Sequence, residues 1–376
     1  MQKENFKIFL KIVLVLTFVY LFLVSIGLMG AAFKGFGKAF AENLIRSTSN
    51  PFIGLFIGIL ATSIVQSSST TTSIVVGMSA SGVITLNNAI PIIMGANIGT
   101  TVTAVLVSLG HINRRDEFKR AITGATVHDF FNMICVIILF PLELTTGFLH
   151  KAALWMSEIF ADVGGIKFTS PVKLATEPTV NLIKHALLDG LNMPSKAGYI
   201  AMLIISIVIL FLSLYFIVKV MKTLVVKRAE IVLNNVIGRS GALAILAGIL
   251  FTAFVQSSSI TTSLMVPLVA AGVLTVESVF PIVMGANIGT TVTAILASFA
   301  TGNVTATAIA FSHLLFNVIG VFLIYPIKIF RAVPIRLAKG LGNLAFKKRR
   351  YAVMYVLTVF FIIPFIFIMI SEILNK

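Results

Sequence analysis

Gln66-Ser67-Ser68-Ser69, followed by Thr71-Thr72-Ser73, returns as Gln256-Ser257-Ser258-Ser259, followed by Thr261-Thr262-Ser263. A second block, Met94-Gly95-Ala96-Asn97-Ile98-Gly99-Thr100-Thr101-Val102-Thr103-Ala104, returns unchanged as Met284 through Ala294. Both recur at an offset of 190 residues (Gln66 to Gln256). The apolar runs flanking each Gln-Ser-Ser-Ser decide the fold. Pro51 to Val65 is one run, and Ile74 to about Ile84 is the next. Neither reaches the about 20 apolar residues that a helix needs to cross a bilayer. The economical reading is a re-entrant hairpin with Gln66–Ser69 at its tip, opened by Pro51, a residue suited to the first turn of a helix. Two full crossings are the alternative. The second copy predicts a hairpin from Gly241 to about Val273 with Gln256–Ser259 at its tip.

The rest of the composition supports a membrane reading. The chain is 58% hydrophobic and 11% charged, with a mean hydropathy of +1.04; soluble domains carry about 25% charged residues. The apolar runs are continuous rather than alternating, so the spans are helical and not barrel strands. The net charge of +16 would suggest nucleic acid in a soluble protein. Here the basic residues fall between apolar segments, as the positive-inside rule expects, and no nucleic-acid partner is implied. The single Cys135 excludes an internal disulfide. The first apolar segment lacks a cleavage site and reads as a retained helix.

Spans are expected to about Gly30, from Pro91 to Leu109, from Ala121 to Pro141, from Ala197 to Val218, from Pro281 to Ala300, from there to Pro326, and from Ala352 to Ile370. The two spans that contain Gly-Ala-Asn-Ile-Gly-Thr-Thr are expected to be broken helices. Lys3, Lys7 and Lys11 put the N-terminus in the cytoplasm, as do Arg114, Arg115, Lys119 and Arg120 for their turn and Lys219, Lys222, Lys227, Arg228 and Arg239 for theirs. Lys328 to Arg350 is basic without an acid and reads as cytoplasmic; the stretch 143–196 balances lysines against Glu143, Glu158, Asp162, Glu177 and Asp189 and reads as external. Trp155 belongs to an amphipathic, interfacial stretch, Leu149 to Phe160. The expected division is an N-terminal helix and connector (1–50), repeat 1 (51–142), an external loop (143–196), a linking helix and cytoplasmic loop (197–237), repeat 2 (238–330), and a basic cytoplasmic loop with a C-terminal helix (331–376).

The fold class is therefore an all-α integral membrane protein with two repeats, each a re-entrant hairpin plus a broken helix and a spanning helix. A hairpin makes no net crossing, and three spans lie between the two hairpins. Three is odd, so the repeats are inverted. Inverted repeats with interrupted helices are the signature of alternating-access transporters, with the site near the midplane.

The chemistry of the repeated residues follows. An open turn at membrane depth must be buried in protein or line a cavity. Each Gln-Ser-Ser-Ser turn offers hydroxyls, an amide and the free N–H groups of a helix N-terminus, a ready anion site. The same oxygens could ligate a hard cation such as Na⁺. Against this, Ser and Thr in membrane helices often only bond back to the helix or glue neighbours. Gly and Ala of the second block permit close helix packing, while Asn97, Thr100 and Thr101 and their copies Asn287, Thr290 and Thr291 could complete ion coordination. The likeness between the units continues at an offset of 185 residues (His128 to His313), pairing Asn132 with Asn317. His128 and His313 read as a paired structural hydrogen bond. Asp129 has no acidic twin, since Leu314 stands at the matched place. It is placed near the start of its span, as an asymmetric cation ligand or as an interfacial residue. No Gly-x-Ser-x-Gly, His-Glu-x-x-His or metal-ligand cluster points to an enzyme.

The paired Gln-Ser-Ser-Ser turns, each followed by Gly-Ala-Asn-Ile-Gly-Thr, resemble the type II sodium–phosphate cotransporter family. So do Ala125-Thr126-Val127-His128-Asp129 with Asn132, Pro141-Leu142-Glu143, and Pro334-Ile335-Arg336-Leu337-Ala338-Lys339. The resemblance implies sodium-driven import of inorganic phosphate, with Na⁺ as co-transported ion and no organic cofactor. Phosphate would bind at Gln66, Ser67, Ser68, Ser69, Gln256, Ser257, Ser258 and Ser259. Sodium would use Gln66, Ser69, Asn97, Thr100, Thr101, Asp129, Asn132, Gln256, Ser259, Asn287, Thr290, Thr291 and Asn317. Family members with Asp at the place of Asp129 are electrogenic. The short 143–196 stretch without cysteines and a last helix that ends outside depart from animal members and imply a bacterial inner-membrane protein. A carrier of another oxyanion, a phosphate exporter, an anion channel and a purely structural membrane protein are the alternatives.

Overall fold

The computed structural model describes residues 2–162, 171–236 and 240–374. Arg239 and the 163–170 part of the expected external loop lie outside the described residues. Seven helices among the described residues are long and apolar enough to cross a membrane: Phe6–Gly35, Leu86–Leu109, Arg115–Thr146, Ser195–Met221, Val276–Thr301, Val304–Ile324 and Arg350–Ile373. The protein is an all-α, multi-pass membrane protein.

The first hairpin is α3 (Pro51–Val65) and α4 (Ser68–Ala80), after the apolar span α1 (Gln2–Gly35) and the amphipathic α2 (Lys38–Ser47). α2 and α3 meet at 95°. Pro51 opens α3, and the Asn50 side chain caps it by accepting from the Phe52 N–H at 2.9 Å. Gln66 ends it in the left-handed region, φ 57° and ψ 28°. Ser67 then caps α4, accepting from the Thr70 N–H at 3.2 Å. The sequence between is too short for anything but a reversal. A left-handed Gln is costly, about 1–3 kcal/mol, and it recurs at Gln256 with φ 59° and ψ 26°.

α5 (Leu86–Gly99) and α6 (Val102–Leu109) form the first broken span, and α7 (Arg115–Thr146) the next. α8 (Phe148–Asp162) and α9 (Pro171–His185), with a π turn at Ala186–Gly190, fill most of the expected external loop, so that stretch is helical. α10 (Ser195–Val236) runs on through the basic stretch. The second hairpin is α11 (Gly241–Val255) and α12 (Ser258–Ala270). α13 (Val276–Thr301) and α14 (Val304–Ile324) follow. The basic stretch after them is another helix, α15 (Lys328–Lys347), packed on α7. α16 (Arg350–Leu357), a π turn at Thr358–Ile362 and α17 (Ile363–Leu374) make the last span.

Two expectations are corrected. Asp129 and His128 lie in the middle of α7, not near its start, because the helix already begins at Arg115, where Asp116 and Glu117 suit its positive N-terminal end. The second broken helix is continuous: α13 carries Gly285 through Thr291 without interruption. The reason lies in the partners of the first copy. An unbroken helix would bond the Thr101 N–H to the Asn97 carbonyl. Instead it reaches the Ile98 carbonyl at 3.3 Å. The Asn97 carbonyl accepts from Asn132 Nδ2 at 2.7 Å, and the Thr101 hydroxyl from there turns to Asp129 at 3.2 Å. In the second copy Asn317 donates back to the His313 carbonyl of its own helix, and Leu314 offers nothing. Identical residues thus give a break only where a neighbouring helix takes the freed carbonyl.

The packing is crossed. The first arm of each hairpin packs on the glycine-bearing span of its own unit, α3 on α5 and α11 on α13. A Cβ at Gly58 would collide with the Ile92 carbonyl, and one at Gly248 with the Ile282 carbonyl, so only glycine lets these backbones meet. The second arm goes to the other unit: α4 packs on α13 and α14, and α12 on α6 and α7. The spans Leu86–Leu109 and Val276–Thr301 are the most enclosed, 78% buried, and they sit at the centre of this exchange.

Candidate functional site

At each hairpin tip the turn is held from within. The hydroxyls of Thr62 and Thr71 bond at 3.0 Å across the first hairpin, and those of Thr252 and Thr261 at 2.6 Å across the second. The first intrahelical bond of α4 runs from the Thr71 N–H to the Ser67 carbonyl, and that of α12 from Thr261 to Ser257. The N–H groups of Ser68, Ser69, Ser258 and Ser259 precede those bonds and have no intrahelical partner. Ser68, Ser69 and Ser258 are buried, and Ser67, Ser257 and Ser259 half-buried. Each tip is therefore a small nest of donors at a positive helix end.

The two tips differ in their glutamines. Gln256 accepts from Thr293 Oγ1 at 2.8 Å and donates to the Ala253 carbonyl at 2.5 Å. Gln66 is exposed, and Thr103, the twin of Thr293, has a buried hydroxyl without a partner. Chemically equal turns are thus closed on one side and open on the other.

The two units also exchange hydrogen bonds. His128 Nε2 on α7 meets Asn287 Oδ1 on α13 at 2.5 Å. His313 Nε2 on α14 meets Asn97 Oδ1 on α5 at 3.3 Å. Each His of one unit thus pairs with the Asn of the other. Asn287 Nδ2 also donates to Asn132 Oδ1 at 2.6 Å. All five side chains are buried. The structure thus brings together Asn97, Asn132 and Asn287 with the two histidines, while Asn317 stands beside them with an unpartnered Oδ1. The twinned histidines do form paired bonds, each to an asparagine and not to one another.

Thr100 and Thr290 donate to the carbonyls of Ala96 and Ala286, both at 2.9 Å, and Thr291 to Ile288 at 2.7 Å. Their protons serve their own helices, which leaves oxygen lone pairs to accept or ligate. Asp129 is apart from the asparagine network. The Thr101 hydroxyl, which donates to the Ile98 carbonyl at 2.8 Å, also lies 3.2 Å from its Oδ1, and the Tyr355 hydroxyl donates to its Oδ2. Tyr355 has no counterpart in either repeat, so the duplication gave no reason to single it out.

The Na+/Pi-cotransporter family model matches residues 21–161 and 209–373. The chain belongs to the Na+/Pi-cotransporter family. Among curated relatives, sodium-dependent phosphate transport protein 2B of Homo sapiens is 35% identical over 443 residues, covering 94% of this chain and 64% of that protein. Sodium-dependent phosphate transport protein 2A of Ovis aries is 35% identical over 427 residues, covering 94% of this chain and 67% of the relative. The same protein of Rattus norvegicus is also 35% identical, over 426 residues, with 94% and 67% covered. The chain thus spans about two thirds of the length of these cotransporter-family relatives. No solved structure matches it.

Proposed function

We propose that this protein is a sodium-coupled secondary transporter that imports inorganic phosphate by alternating access, and not an enzyme. The observation that carries the reading is the crossed arrangement, with each His paired to the Asn of the opposite unit and each hairpin lending its second arm to that unit. The relatives' names supply the substrates. The units are 51–142 and 238–330. Three spans separate the hairpins, so the units face opposite ways across the bilayer. Phosphate is held by the hydroxyls and free N–H groups of Gln66–Ser69 and Gln256–Ser259, where two helix ends favour an anion without Arg or Lys. Sodium is held by the side-chain oxygens of Gln66, Ser69, Asn97, Thr100, Thr101, Asn132 and their copies Gln256, Ser259, Asn287, Thr290, Thr291 and Asn317, together with the unpaired Asp129. A cation beside the anion offsets its charge, so each raises the affinity for the other.

Alternation needs an element with two arrangements. The unequal glutamines supply one: Gln256 engaged with Thr293 while Gln66 is exposed and the Thr103 hydroxyl unpartnered. In the opposite state Gln66 engages Thr103 and Gln256 is released. Asp129, present in one unit only, makes transport electrogenic. The Gln2 end of α1 is cytoplasmic and the far end of α17 external. A bacterial inner membrane fits the short 143–196 connection, which carries no cysteine.

Ser68→Ala and Ser258→Ala test the site. Either substitution removes a hydroxyl from a tip and is expected to reduce sodium-dependent phosphate uptake strongly. Unchanged flux in both variants would remove the tips from the substrate path.

A further inference from the structure

The last span lies outside both repeats and faces mostly outward; only 17% of its apolar window is buried. Tyr355 belongs to its inward stripe, with the buried Ala352, Val356 and Phe360. Its ring packs between Phe130, at 5.8 Å between centroids, and Phe360, at 6.2 Å. Its hydroxyl donates to Asp129 Oδ2 and lies 3.7 Å from Met133 Sδ.

Asp129 is 0% exposed in the middle of a spanning helix. No salt bridge reaches it among the described residues. Its partners are two neutral hydroxyls, one on each carboxylate oxygen: Tyr355 on Oδ2, and Thr101 on Oδ1 at 3.2 Å, the latter sharing its proton with the Ile98 carbonyl at 2.8 Å. Two neutral donors leave a buried carboxylate undercompensated. The four oxygens come from three places in the fold: the start of α6, the middle of α7, and α16. A hydroxyl oxygen keeps two lone pairs beside its proton. The Thr101 proton already has the Ile98 carbonyl to turn to, and rotation of the Tyr355 O–H away from the carboxylate would present its lone pairs as well.

We propose that Tyr355 is a ligand of the cation held at Asp129. The site takes a hard monovalent cation in an all-oxygen cradle of Asp129, Thr101 and Tyr355. It is separate from the asparagine–histidine network. A π turn, Thr358–Ile362, begins three residues beyond Tyr355, and such turns gather at functional sites. Beyond it Phe367 stacks on Phe56 of the first hairpin at 4.6 Å. One element therefore joins the ion to the arm that carries the Gln66–Ser69 tip. The identity of the ion as Na⁺ rests on the proposed function; the ligand assignment does not.

The test is binding of radiolabelled Na⁺ to the full chain in nanodiscs, without phosphate. Tyr355→Phe keeps the ring and its packing. It is expected to raise the half-saturating Na⁺ concentration of the Asp129 component about tenfold, the loss of one hydrogen-bonding-strength contact to a charged group. Thr101→Val is expected to shift it the same way. In an Asp129→Asn background, Tyr355→Phe is expected to change nothing further. Wild-type affinity in Tyr355→Phe, or an equal shift in both backgrounds, overturns the assignment. The expected pattern in a protein without phosphate flux upholds the cation site and overturns the phosphate reading instead.

Discussion

Asn287 and Asn97 occupy matched places in identical sequence, yet the structure gives them unequal work. Asn287 holds two buried side chains of the other unit, His128 at 2.5 Å and Asn132 at 2.6 Å. Asn97 holds one, His313, at 3.3 Å, and its side-chain amide donates back to the Ile93 carbonyl of its own helix. Replacing each by Leu keeps the approximate shape and deletes those bonds. Side-chain hydrogen bonds between membrane helices contribute about 0.6 kcal/mol each on average and up to about 1.7. Two bonds put the loss for Asn287→Leu at about 1–3 kcal/mol. The single longer bond puts Asn97→Leu at roughly half of that or less. Reversible unfolding of both variants in mixed micelles, titrated with SDS, measures the difference. A double variant with His128→Leu separates the pair from its surroundings: once His128 is gone, the loss at Asn287 should fall by the share of that bond. Equal losses for Asn97→Leu and Asn287→Leu, or a larger one for Asn97, would refute the unequal network.

Two further outcomes follow from named contacts. Asp129→Gly is expected to lower the charge moved per phosphate by about one elementary charge, that of the ion the carboxylate would hold; equal current-to-flux ratios in the two proteins would count against that role. Gly58→Ala is expected to destabilise by about 1–3 kcal/mol, because the added methyl meets the Ile92 backbone and nothing there can rotate away. Gly340→Ala on α15, where a Cβ meets open space, is expected to be neutral or to stabilise by up to about 1 kcal/mol. Similar unfolding midpoints for these two glycine variants would contradict the close approach of α3 and α5.

The hairpins were legible because their signals are local. Asn50-Pro51 opens a helix, and the polar Gln-Ser-Ser-Ser ends one apolar run and caps the next. Seven spans follow from length and composition alone. The pairing of His128 and His313 with partners in the opposite unit could be anticipated as a pair but not as crossed, since only packing decides which unit supplies the asparagine. The second copy repeats the sequence of the Thr100–Thr101 break but not the break itself. Eleven identical residues cannot encode two conformations; Asn132 and Asp129 on a different helix impose one of them. The amphipathic stretch Leu149–Phe160 was legible within the polar connection 143–196 and is α8, whereas the charge of 171–185 and 328–347 reads as loop, yet these pack as helices α9 and α15 on the spans. Tyr355 carries no sequence signal, because a single Tyr in an apolar span reads as an interfacial ring and its partner Asp129 is more than two hundred residues away.

The central claim is that sodium drives phosphate across the membrane through this protein. The full chain in proteoliposomes, loaded with radiolabelled phosphate outside, should be given an inward Na⁺ gradient or the same gradient of K⁺. The expected result is phosphate accumulation above equilibrium with Na⁺ alone, collapsing when the Na⁺ gradient is dissipated. Equal uptake with K⁺, or Na⁺-dependent uptake that stops at equilibration whatever the gradient, would contradict it.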